Sequence, residues 1–109
     1  ATCYTHAAEV AGFFVAAALR PGVEGAEVYT LGGELADTRT FIGKLGRHVP
    51  AALELVSISG GDLPIASRLD DAPLRRAFPD VARVDLDEGI AMTVEVFKKL
   101  MARGELSVP

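Results

Sequence analysis

Apolar and polar residues follow two rhythms along the chain, and the switches between them mark the expected elements. Residues 2–5 alternate and carry Cys3, Tyr4 and Thr5, which predicts a short strand. The period then lengthens. Val10, Phe13, Phe14 and Ala17 recur at helical spacing, Glu9 sits in the first turn where negative charge suits the helix dipole, and Arg20-Pro21-Gly22 stops the helix. Ala26–Leu31 reads as a second strand, ended by Gly32-Gly33. Asp37 or Thr38 can cap a helix whose apolar face is Phe41, Ile42 and Leu45, bracketed at its end by Gly46 and Pro50. Leu53–Ile58 reads as a third strand running into Ser59-Gly60-Gly61. Asp70 or Asp71 then opens a short helix with Pro73 just inside it, presenting Leu74, Ala77 and Phe78 before Pro79 breaks it. The last helix begins at Asp85 or Asp87, carries Ile90, Val94, Phe97, Leu100 and Met101 on one face, and ends at Gly104.

The order strand, helix, strand, helix, strand, helix, helix predicts an α/β fold, a small sheet with covering helices. A length of 109 residues leaves room for one domain, spanning 1–109. The strand pattern is already under way at Thr2 and the chain does not open on methionine, so the expectation is a piece of something longer. A first strand placed there leaves a sheet edge that invites pairing, including in a free dimer.

Charge narrows the partners. The net charge is −4 and the eleven Lys and Arg are scattered, which argues against nucleic acid or an anionic membrane surface. No apolar run reaches the roughly 18 residues needed to cross a bilayer. Val10–Leu19 has the apolarity of a signal-peptide core, but Glu9 precedes it and no basic region does. A single cysteine, Cys3, cannot form an internal disulfide; it reads as a small buried hydrophobe, and a cytoplasmic location fits.

Candidate chemistry is sparse. Gly22-x-x-Gly25 precedes a strand, Gly43-x-x-Gly46 lies within a helix, and Gly32-Gly33 is separated from the next helix by a stretch that begins with Glu34, so no dinucleotide fingerprint is present. His6 stands at a strand-to-helix junction, where its ring can cap the helix, and His48 sits beside Arg47 where a cation suits the dipole. No Cys/His spacing resembles a metal site. The acids Asp70-Asp71 and Asp85, Asp87 and Glu88 fall where helices begin, and N-capping accounts for them. Ser57, Ser59 and Ser67 lack a His or Lys at motif spacing. Arg68, Arg75 and Arg76 form a modest basic cluster, read as solvated surface ahead of a phosphate or carboxylate contact.

Three stretches in order nonetheless form a pattern. Tyr4-Thr5-His6-Ala7-Ala8-Glu9-Val10-Ala11, then Glu27-Val28-Tyr29-Thr30-Leu31-Gly32-Gly33-Glu34, then Leu69-Asp70-Asp71-Ala72-Pro73-Leu74-Arg75-Arg76 with Leu86-Asp87-Glu88-Gly89-Ile90 resemble the C-terminal part of extended short-chain dehydrogenases/reductases. These are the NAD-dependent epimerase/dehydratase proteins. The resemblance implies a substrate-binding lobe without its Rossmann, glycine-rich half, which would be its partner. It implies NAD or NADP in the parent enzyme, with none bound by this chain alone. Tyr4 is followed four residues on by Ala8, and Tyr29 by Gly33, so neither belongs to the family's catalytic tyrosine-x-x-x-lysine. Ser59-Gly60-Gly61-Asp62-Leu63-Pro64 stands where the family often has arginine-proline-glycine-aspartate, with Arg68 somewhat later. That departure suggests a sugar, sugar acid or other hydroxylated small molecule rather than a nucleotide diphosphate. The substrate-binding candidates are Arg68 and His6, the latter mainly architectural. The expected function is therefore the substrate-binding region of an NAD(P)-dependent epimerase/dehydratase or related oxidoreductase, inactive alone; the alternative is a stand-alone, non-catalytic binding module on the same scaffold.

Overall fold

Each predicted helix start carries a side chain that satisfies a backbone donor, and those caps set the frame. A computed structural model of the chain describes residues 1–22 and 24–107. β1 (Thr2–Tyr4) leads into α1 (Ala7–Leu19), capped by His6. β2 (Glu34–Ala36) is followed by α2 (Thr38–His48), where Asp37 accepts from the Thr40 N–H at 2.6 Å. A single turn, α3 (Ala52–Leu55), follows directly. α4 (Ala72–Ala77) has Pro73 in its first turn, and Asp70 accepts from the Ala72 N–H at 3.0 Å. α5 (Leu86–Ala102) is capped by Asp85, which accepts from the Glu88 N–H at 2.8 Å.

The sheet has two strands, β1 and β2, antiparallel, with Thr2 opposite Ala36, Cys3 opposite Leu35 and Tyr4 opposite Glu34. Gly33 makes the pairing possible: its φ of 135° suits glycine, and a Cβ there would run into the Tyr4 carbonyl oxygen. Ala36, Leu86 and Ile90 form the buried core, with Tyr4, Phe41, Leu45 and Val94 packed against it. Thus α2 and α5 cover one face of the ribbon. On the far side of the molecule Phe13 of α1 meets Phe78 edge-on, ring centroids 6.5 Å apart.

The α/β class and all the long helices stand as the periodicity predicts, but the sheet differs. Ala26–Leu31 is irregular rather than a strand, and Val28 is 94% exposed. Leu53–Ile58 opens inside α3 and continues as unpaired chain with Leu55, Val56 and Ile58 exposed. The short strand that pairs with β1 lies at Glu34–Ala36, in the predicted connection. The physical reason is that a strand exists only as one side of a ladder, and these two apolar stretches find no edge within the described residues. The radius of gyration, 17.0 Å, exceeds the ~13 Å of a compact domain of this length. Much of the apolar surface therefore remains uncovered.

Candidate functional site

Where β1 runs into α1, the chain turns beside the N-terminal half of α5, and a cavity of about 160 Å³ opens between them and α2. Its walls are mainly carbon: Tyr4 and Phe41 stack with centroids 4.7 Å apart and planes at 20°, and Leu86, Ile90 and Val94 line the other side. His6, Thr93, Thr5 and Asp85 supply its polar side chains. The His6 ring lies against Gly89, where a Cβ would come within 3.3 Å of the His6 Cβ; a side chain at 89 would displace the imidazole. His6 Nδ1 accepts the Ala8 N–H at 3.1 Å, so a neutral ring carries its proton on Nε2. The Thr93 hydroxyl donates to the Gly89 carbonyl at 2.8 Å, leaving its lone pairs free to accept.

The start of α5 is already satisfied. Glu34 Oε2 accepts the Leu86 N–H at 2.8 Å, and Asp85 takes that of Glu88. The Gly89 N–H in turn donates to the Asp85 carbonyl at 2.8 Å. Behind it, Asp87 joins α5 to α2 through Lys44 at 3.0 Å and Arg47 at 3.4 Å. The Lys44 hydrogen bond, with the Lys44 and Arg47 charges, holds the Asp87 carboxyl below the usual carboxylate range.

Of the two sequence candidates, His6 lines this cavity and caps α1, the architectural role its position predicts. Arg68 is exposed on the connection before α4 and is not part of the cavity wall; the adjacent Ser67 carbonyl accepts the Cys3 S–H at 3.4 Å. The structure does not bring the two side chains into one site. Arg75 departs from its expected place on a solvated basic surface. Its Nη2 donates to Glu9 Oε1 at 2.7 Å and its Nε to Asp71 Oδ2 at 2.8 Å, with the guanidinium 5.6 Å from the Phe13 ring centroid. Glu9, only 3% exposed, also accepts the Val84 N–H at 3.0 Å. The helical spacing from Glu9 to Phe13 carries the missed signal: an acid on the same face as the buried aromatic needs a cation.

On the other side of α1 an open groove of about 740 Å³ runs between Ala8, Gly12, Val15 and Leu19 and the Phe78–Val84 segment. Arg20 closes one end, donating to Glu27 at 2.8 Å, while the Tyr29 hydroxyl donates to the same carboxylate at 2.7 Å.

The α1 N-terminus is occupied by the His6 ring and Glu9, and Gly32-Gly33 leads into β2 rather than a helix. Among the described residues no group of three His, Cys, Asp or Glu side chains is placed to hold a metal, and no helix is long and apolar enough to cross a membrane. No family model, curated protein or solved structure matches the chain.

Proposed function

We propose that the chain is the substrate-binding, C-terminal region of an NAD(P)-dependent sugar or nucleotide-sugar epimerase/dehydratase or related oxidoreductase, and that it works by covering a separate cofactor-binding lobe. One observation carries the covering role. α1 has no polar side chain between Glu9 and Arg20, yet Phe14 and Leu19 are 73% and 77% exposed. A helix apolar on all sides belongs inside a larger body, and here just one side is covered. The unpaired apolar stretches at 26–31 and 53–58 support the same role, since each has the composition of a strand waiting for a sheet edge. The family assignment rests on the ordered resemblance of the 4–11, 27–34 and 69–90 stretches. Substrate recognition falls mainly to Arg68, His6 being chiefly architectural, with the redox chemistry in the partner lobe.

The test has two arms. The chain alone, mixed with NAD or NADP and candidate sugars, should produce no reduced cofactor and show no cofactor-dependent rise in Tm. The encoding frame should continue upstream of Ala1 through a glycine-x-x-glycine-x-x-glycine loop and a tyrosine-x-x-x-lysine. Turnover by the chain alone, or a frame that begins at Ala1, overturns the reading and leaves the self-contained binding module.

A further inference from the structure

We propose that the cavity beside His6 is a binding site for a small, mostly apolar molecule built on one six-membered ring with a single hydroxyl group, a phenol or its saturated counterpart. Its volume, about 160 Å³, matches the ~150 Å³ at which an apolar protein cavity accepts a benzene ring. The stacked Tyr4 and Phe41 rings give a flat wall, and Ile90 and Val94 offer aliphatic contacts opposite. The polar side chains on the wall are few, His6 and Thr93 with Thr5 and Asp85. The His6 Nε2–H can donate and the Thr93 oxygen can accept, because the His6 Nδ1 and the Thr93 proton are both engaged elsewhere. A single hydroxyl uses that pair completely. A polyol leaves its other hydroxyls facing carbon, at the cost of burying unpaired polar groups. Asp85, the one acid on the wall, accepts the Glu88 N–H through Oδ1. The inference does not depend on the cofactor-lobe reading, because no wall of this cavity comes from α1 or from the unpaired stretches.

The ¹⁵N-labelled chain titrated with phenol, toluene, cyclohexanol and glucose decides it. Phenol, cyclohexanol and toluene should saturably shift the Gly89, Ile90 and Thr93 amides, and glucose should not. Thr93→Val keeps the shape and removes the acceptor; His6→Asn keeps a cap oxygen and removes the ring donor. Each should weaken phenol roughly 2- to 12-fold, the worth of one net hydrogen bond, and leave toluene unchanged. Val94→Phe fills the space and should abolish both while the helical CD spectrum persists; if it fails to fold, the phenol-against-toluene split in Thr93→Val remains decisive. Absence of saturable shifts, saturable shifts with glucose, equal losses for phenol and toluene in Thr93→Val, or binding that survives in folded Val94→Phe overturns the proposal.

Discussion

Removing the Glu9 carboxylate tests how the two sides of the molecule are tied. Glu9 is 3% exposed and holds both the Arg75 guanidinium, at 2.7 Å, and the Val84 N–H, at 3.0 Å. Glu9→Ala strands the Val84 donor, worth about 1–3 kcal/mol, and removes one charged partner from Arg75. The 3–5 kcal/mol typical of breaking a buried ion pair is an upper bound here, because Arg75 keeps Asp71 and its side chain is 20% exposed. The expected loss is about 2–4 kcal/mol, large against the 5–15 kcal/mol of an ordinary domain. Glu9→Gln keeps an acceptor for Val84 and should cost about half as much. Urea unfolding followed by far-UV CD measures both, and the cycle with Arg75→Met should give a coupling of about 1 kcal/mol or more. A Glu9→Ala loss below about 0.5 kcal/mol, the range of ordinary surface substitutions, would refute the reasoning. Should Glu9→Ala not fold, the same criterion applies to the coupling in the Glu9→Gln and Arg75→Met cycle.

His6→Ala should lower stability by about 0.5–2 kcal/mol through loss of the α1 cap, and His6→Asn should restore most of it in the same urea assay. The Thr40 backbone N–H holds Asp37 below its ordinary value of 3.8, and the Lys44 hydrogen bond does the same for Asp87. Both folded values lie below the unfolded ones, so their stabilisation is complete above that range and disappears as pH falls through the depressed values. The acid-side decline of Tm should be shallower in the Asp37→Asn, Asp87→Asn double variant; an unchanged slope would remove these groups from the account. Phe14→Ser and Leu19→Ser should leave the urea midpoint of the chain nearly unchanged, within about 0.5 kcal/mol, while reducing self-association in light scattering. A loss of 2 kcal/mol or more, the scale of a core truncation, would mean that the face is already covered.

The helices were legible in the sequence because their evidence is local. Asp37, Asp85 and His6 cap within a few residues of their own positions, and Leu74 and Ile90 declare their buried faces through spacing. Strands are not local in that sense. The alternation in Ala26–Leu31 and Leu53–Ile58 states a preference, but a ladder needs a neighbour, and the described residues supply one to β1 alone, from the three-residue segment behind Gly33. The candidate site divides along the same line. The capping role of His6 follows from its place at a strand-to-helix junction, whereas its position on one cavity wall with Gly89 and Thr93 depends on α5 returning from more than eighty residues away. The burial of Glu9 is likewise decided by Arg75 and Val84, far along the chain, although the apolar surroundings of an isolated acid already require such a partner. The same distinction explains α1. Its cap and its buried Phe13 and Glu9 anchor one side, but its apolarity on every side exceeds what Phe78, Val81 and Val84 can cover. That surplus leaves Phe14 and Leu19 exposed.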